Sequence, residues 1–150
     1  MADFTNQPAK TPWHVWLVGV LALLWNAMGA LDFTMTQLHS EAYLKDFTPE
    51  QKAYFFGFPF WAVLTWCVAT WGSLVASLLL LLRRSVAVPA FGAALACTLI
   101  TFIYDYGIAD GMKVMGAKAT GALVFCGVIV VVAVLLLVYA RAQRARGVLR

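Results

Sequence analysis

The fold is decided by residues 119–139, which read ATGALVFCGVIVVVAVLLLVY and contain no charged side chain. About 20 apolar residues suffice for an α-helix to cross the roughly 30 Å hydrocarbon core of a bilayer. Three further segments of that length, residues 13–36, 58–82 and 86–108, are similarly apolar. The chain is 63% hydrophobic and 12% charged, unlike a soluble domain. We therefore predict an all-α fold in which four transmembrane helices form one integral membrane domain over residues 1–150.

The positions of the charged residues predict how this bundle lies in the membrane. All six arginines lie between the second and third segments or after the fourth, namely Arg83, Arg84, Arg141, Arg144, Arg146 and Arg150. With Lys10 they place seven of the eleven positive residues on one side, and such an excess is typical of the cytoplasmic side. We predict a multi-pass membrane protein with both termini in the cytoplasm. The net charge of +4 does not indicate nucleic-acid binding, because the arginines lie at segment ends.

One alternative concerns the first segment. Residues 16–25 resemble the apolar region of a secretory signal peptide, and Ala27-Met28-Gly29 resembles a small-residue cleavage site. Against this interpretation, Lys10 alone supplies positive charge before the apolar stretch, which also continues past the proposed cut. Cleavage would leave three spans and would make Asp32 part of a soluble amino terminus.

The connection between the first two segments predicts a short interfacial helix on the external side. Thr48 is a favourable helix cap, Pro49 suits the first helical position, and Gln51 completes a capping box. The helix should run to about Phe56. Its aromatic residues are typical of a membrane-interface belt, although a ligand platform is the alternative.

Two carboxylates lie inside the apolar segments, Asp32 in the first and Asp105 in the third. A charge at the bilayer centre costs about 2.5–3.5 kcal/mol on insertion scales, so such a residue usually faces a partner, a cavity or water. In the predicted topology both acids lie toward the external side. Helical spacing gives each a polar face, formed by Trp25, Gly29, Asp32 and Thr36 on the first helix and by Thr98, Thr101 and Asp105 on the third.

These two polar faces are expected to meet in a small cavity that is open to the outside. Two adjacent carboxylates cannot both ionise cheaply, so the pair could carry a proton or coordinate a cation. The alternative is structural: each acid would cap a helix end, pair with Lys113 or reach lipid headgroups. The residues predicted to bind a ligand or ion are Trp25, Asn26, Asp32, Thr36, Thr101, Tyr104 and Asp105.

Other polar and small residues predict helix packing. Asn26 has a second interpretation as the donor of an interhelical hydrogen bond, worth about 0.6–2 kcal/mol. Small residues let helix backbones approach closely in lipid. The predicted packing positions are Gly29, Ala69, Gly72, Ser73 and Ser77.

The sequence lacks the patterns of catalytic and metal sites. Cys67, Cys97 and Cys126 occur one per segment, without a CxxC pair or a Cys/His cluster. A nucleophile–base signature and an HExxH motif are also missing. We therefore predict a protein that is not an enzyme and has no cofactor and no metal.

Residues 25–36, WNAMGALDFTMT, resemble the first helix of a family of small bacterial inner-membrane proteins with the pattern WNxxGxxD[YF]xMT. The similarity continues in the FTPEQ, FGFP and GVLR motifs at residues 47–51, 56–59 and 147–150. Members of this family are often labelled sugar transporters. The resemblance implies a four-span protein of the bacterial inner (plasma) membrane, and it assigns no role to Trp25, Asn26, Gly29 or Asp32.

Two functions remain open on sequence grounds. The first is a small transporter or transport subunit, which would act as an oligomer because four helices enclose little space. The second is a non-catalytic accessory subunit that packs against a larger membrane complex. The expected partners are the lipid bilayer, further copies of the chain or such a complex, with any small-molecule substrate unknown and no nucleic acid.

Overall fold

The computed structural model describes residues 11–150, and every regular element in that range is helical. Four helices are long and apolar enough to cross a membrane, which confirms the predicted all-helical membrane bundle. The chain order is α1 (Trp13–Gln37), α2 (Pro49–Phe56), α3 (Phe60–Leu81), α4 (Ala87–Ile103), a π-helical turn (Tyr104–Ile108), α5 (Gly111–Met115), a 3-10 turn (Gly116–Lys118) and α6 (Ala119–Ala145). Lys10, which was counted with the arginines above, lies outside the described residues.

Helix α6 continues beyond the end predicted from hydropathy, through residues 140–145 to Ala145. This stretch, ARAQRA, is rich in alanine, arginine and glutamine, which are strong helix formers although arginine and glutamine are not apolar. Hydropathy therefore marks where the apolar part of the helix ends, and the helix itself runs on.

Helices α3 and α4 are the central elements of the bundle. They pack against each other, while α1 packs mainly against α3 and α6 mainly against α4. Small residues lie where the helices approach. Ser77 of α3 is completely buried, and its hydroxyl accepts a 2.9 Å hydrogen bond from the Asn26 amide of α1. A methyl group added at Gly72 would lie 3.7 Å from the side chain of Ala94 on α4. These short side chains allow close packing of the helix backbones.

Thr11, where the described residues begin, and the carboxyl-terminal Arg150 lie at the same end of the bundle, which we call the arginine end. Arg83 donates a 2.7 Å hydrogen bond to the Thr11 hydroxyl, and its backbone carbonyl accepts one of 2.8 Å from the Arg150 amide. Gly147 adopts a φ of 71°, so the chain reverses after α6. Leu149 then packs into the apolar core beside Leu80 and the other core residues of α1, α3, α4 and α6.

The opposite end carries the loop of residues 38–59, which connects α1 to α3 and contains α2. A helix at the predicted residues and its predicted capping box are confirmed. The Thr48 hydroxyl accepts from the Gln51 amide and the Gln51 side chain accepts from the Thr48 amide, both at 3.2 Å. The loop also packs on itself, since Leu44 is only 1% exposed and Phe47 contacts Phe55 edge to face.

Candidate functional site

A cavity of about 360 Å³ lies between the four long helices. It extends from Asp32 and Tyr43 toward the apolar core, where Phe91 and Leu136 form part of its wall. Its aromatic lining includes Trp25, Trp66, Phe91, Phe102 and Phe125, and its polar lining includes Asn26, Asp32, Tyr43, Thr70, Ser73, Thr98 and Thr101. The volume falls within the range of roughly 300–1,000 Å³ that is typical of small-molecule sites.

Asp32 lies at the end of the cavity nearest to the 38–59 loop. One of its carboxylate oxygens accepts a 2.8 Å hydrogen bond from the Tyr43 hydroxyl. Partial burial and the bond to Asp32 raise the pKa of Tyr43 to about 12, so the phenol stays protonated and remains a donor throughout the neutral range. Tyr43 is 40% exposed, which leaves this bond near the surface of the bundle.

Most hydroxyl groups that line the cavity bond to their own helices. Thr70 donates to the Trp66 carbonyl at 3.0 Å, Ser73 to the Ala69 carbonyl at 2.6 Å, and Thr98 to the Ala94 carbonyl at 2.9 Å. A hydroxyl that bonds to the carbonyl of the preceding turn uses its single proton there. The cavity therefore offers few free hydrogen-bond donors, despite its polar residues.

Asp105 belongs to a different contact, at the π-helical turn after α4. The Tyr54 hydroxyl of α2 donates to the Asp105 side chain and also lies 3.0 Å from the Asp105 backbone carbonyl. Burial and this bond raise the pKa of Tyr54. A methyl group added at Gly111 would lie 2.7 Å from that carbonyl and 2.9 Å from the Tyr54 hydroxyl. Only glycine fits this junction without displacing its neighbours.

The prediction that Asp32 and Asp105 share one polar cavity is not supported. Asp32 lines the cavity and Asp105 is not among its lining residues. The two acids bond to different tyrosines of the 38–59 loop. Lys113, the expected counter-ion, forms a 2.8 Å ion pair with Asp110 instead. Asp110 lies between the π-helical turn and α5 with a φ of 58°, and its ion-pair partner is three residues later in the chain.

The remaining predicted ligand residues divide between the cavity and its surroundings. Trp25, Asn26 and Thr101 line the cavity, and the Thr101 hydroxyl also lies 3.0 Å from that of Thr65. Thr36 is buried and lies outside the lining. Tyr104 instead packs against aromatic rings of the α3 region, with its centroid 4.9 Å from Trp61.

Sequence reasoning missed the roles of Tyr43 and Tyr54. Tyr54 was assigned to an interfacial aromatic belt, and Tyr43 received no role. Each lies far along the chain from its acid, 11 residues in one pair and 51 in the other. A helical periodicity relates residues only three or four positions apart, so no local pattern links these partners. The available signal was the presence of these two tyrosines in the loop that follows the intramembrane Asp32.

No family model, characterised protein or solved structure matches this chain. The resemblance to small inner-membrane proteins with the WNxxGxxD[YF]xMT helix therefore remains a prediction. The described chain is a membrane protein with four candidate transmembrane helices arranged as a helical bundle.

Proposed function

We propose that this chain is a small transporter or transport subunit and that its solute site is the cavity at Asp32. The observation that carries the proposal is the cavity itself, because about 360 Å³ of space between apolar helices contains a carboxylate. A carboxylate in such surroundings is costly, and membrane proteins generally retain one for function or for a specific partner. Tyr43 supplies a single, partly exposed hydrogen bond to Asp32.

The proposal gives the two intramembrane acids different roles. Asp32 faces the solute, while Asp105 holds the 38–59 loop in place through Tyr54. The contacts of Asp105 support this division, since its carboxylate and backbone carbonyl are both close to one phenol and outside the cavity lining.

In the proposed orientation the arginine end faces the cytoplasm and the 38–59 loop faces the outside of the bacterial inner membrane. The positive-inside rule supports this arrangement, because Arg83, Arg84 and the arginines after residue 140 all belong to the arginine end. Tyr43 would then lie between Asp32 and the external solution, and its hydrogen bond would break when solute enters from that side.

We also propose that the chain acts as an oligomer of identical copies. The outward face of α6 is apolar along its length, with Val124 63% and Leu135 61% exposed, so it can contact either lipid or a second chain. A single bundle of this size has few helices with which to change shape around a solute. A second copy would supply a surface against which the helices could move.

Uptake into proteoliposomes tests the proposal. The full chain would be reconstituted with an imposed proton gradient and assayed with radiolabelled choline, glucose, glycine and lactate. We expect uptake of at least one probe by the wild type and by Asp110→Asn, and none by Asp32→Asn. Asp110→Asn is the matched control, because it removes a carboxylate from an exposed ion pair outside the cavity.

The alternative is an accessory subunit of a larger membrane complex, whose partner would cover part of the exposed apolar surface that otherwise contacts lipid. Purification in a mild detergent from the native membrane distinguishes the two functions. Recovery of a second protein in fixed stoichiometry, together with absent uptake of all four probes, would overturn the transporter and support the accessory subunit.

A further inference from the structure

The charge balance of the cavity at Asp32 indicates which kind of ligand would complete it. No lysine or arginine is among the lining residues. The ion pairs in residues 11–150 join Lys52 to Glu41 and Lys113 to Asp110, so neither compensates Asp32. Within the same range, Tyr43 is the one side chain that donates to the Asp32 carboxylate, and the second oxygen accepts no hydrogen bond. A positive ligand would supply the missing opposite charge.

The aromatic walls favour an organic cation. Trp25 and Trp66 both line the cavity that contains Asp32. Each indole has a neighbouring ring, Phe125 at 6.2 Å from Trp25 and Phe33 at 5.2 Å from Trp66, measured between centroids. Indole is the best aromatic partner for a cation, and quaternary ammonium groups are commonly recognised by such rings.

The same features disfavour other ligand classes. A sugar needs several donors from its site, but the hydroxyl protons of Thr70, Ser73 and Thr98 are already used within their helices, which leaves these oxygens as acceptors only. An anion would be repelled by Asp32. Calcium takes six to eight oxygen ligands and magnesium demands an octahedral oxygen shell. One carboxylate among aromatic walls does not provide either.

We propose that the Asp32 cavity binds a small organic monocation, an amine or quaternary ammonium compound whose positive group contacts Asp32 and whose carbon groups pack on Trp25 and Trp66. This inference rests on the proposed function and names the solute class of the same cavity. The volume of about 360 Å³ accommodates a small molecule of this class.

Binding to the full chain in dodecyl maltoside tests the inference without requiring transport. The probes are choline and its uncharged analogue 3,3-dimethyl-1-butanol (dimethylbutanol below), which has the same shape with carbon in place of the charged nitrogen. The readout is tryptophan fluorescence during titration. We expect choline to bind the wild type and Asp110→Asn equally, and dimethylbutanol to bind at least about tenfold more weakly because it lacks the charge.

Two kinds of variant test the residues named. Asp32→Asn should weaken choline binding at least about tenfold, and Asp32→Glu, which keeps the charge, should retain binding within a fewfold. Trp25→Leu should weaken choline binding severalfold and dimethylbutanol binding by less, because leucine still packs on carbon groups but lacks the attraction of an indole face for a positive charge. If Asp32→Asn does not fold, the other two variants supply the test. Choline binding should be retained by Asp32→Glu and weakened by Trp25→Leu.

Four results would overturn the assignment of an organic cation as the ligand. They are equal binding of choline and dimethylbutanol, unchanged choline affinity in a folded Asp32→Asn, tighter binding of glucose than of choline, or no choline binding at all. Each of these is separate from the uptake result. Uptake of glucose or glycine that depends on Asp32 would leave the proposed transporter standing while removing the cation as its solute.

Discussion

The Tyr43 hydroxyl lies 2.8 Å from a carboxylate oxygen of Asp32 and donates a hydrogen bond to it. Tyr54 makes the corresponding bond to Asp105 from the same 38–59 loop. The same loop therefore contacts both acids of the apolar segments. Their surroundings differ, however, because Asp32 lines a cavity and Asp105 lies in a packed junction beside Gly111. We therefore expect substitutions in the Tyr43–Asp32 pair and in the Tyr54–Asp105 pair to have different effects.

Tyr43→Phe should have a small effect on stability. The substitution removes the hydroxyl and keeps the ring, and the lost bond is near the surface because Tyr43 is 40% exposed. We expect a loss of about 1 kcal/mol or less in the free energy of unfolding, measured by thermal denaturation in detergent. A loss several times larger would mean that this bond anchors the loop.

Tyr54→Phe should be more destabilising than Tyr43→Phe. The Tyr54 hydroxyl contacts two oxygens of Asp105, and removing it would leave partly buried acceptors without their donor. We expect a loss of about 1–3 kcal/mol in the same denaturation assay. Protease digestion of folded protein should also show faster cleavage in the 38–59 loop. Equal stability of the two variants would contradict the anchoring role of Asp105.

The apolar helices could be predicted from sequence because length and composition alone determine which segments suit a bilayer. The capping box of α2 could also be predicted, since Thr48 and Gln51 are local partners. The pairing of Tyr43 with Asp32 and of Tyr54 with Asp105 could not, because it depends on how the 38–59 loop folds over the bundle. The expected meeting of the two acids is not supported for the same reason, since helical spacing defines a face of each helix but not what covers that face.

Gly111→Ala should disturb the Tyr54–Asp105 junction. An added methyl would approach the Asp105 carbonyl and the Tyr54 hydroxyl within 3 Å, so the backbone or the phenol must shift. We expect a loss of about 1–3 kcal/mol, measured by thermal denaturation. Gly127→Ala is the matched control, because a methyl at Gly127 meets nothing within 4 Å and alanine is the better helix former. A neutral Gly111→Ala would contradict the close packing at this junction.

Both ends of the chain should lie on the cytoplasmic side. Thr11 and Arg150 each bond to Arg83 at the arginine end, so the three must share one side. Alkaline phosphatase fused after Arg150 or before Met1 should be inactive, and the same enzyme inserted in the 38–59 loop should be active. Activity at only one of the two termini would contradict the even number of crossings.

The most direct measurement compares Asp32→Asn with Asp105→Ala, recording the melting temperature and choline affinity of each purified protein. We predict that Asp32→Asn keeps the melting temperature within a few degrees and loses choline binding. Asp105→Ala removes the side-chain acceptor of the Tyr54 hydroxyl, so it should lower the melting temperature and, below it, bind choline like the wild type. The opposite pattern, with binding lost only in Asp105→Ala, would contradict the assignment of Asp32 to the solute cavity and of Asp105 to the loop anchor.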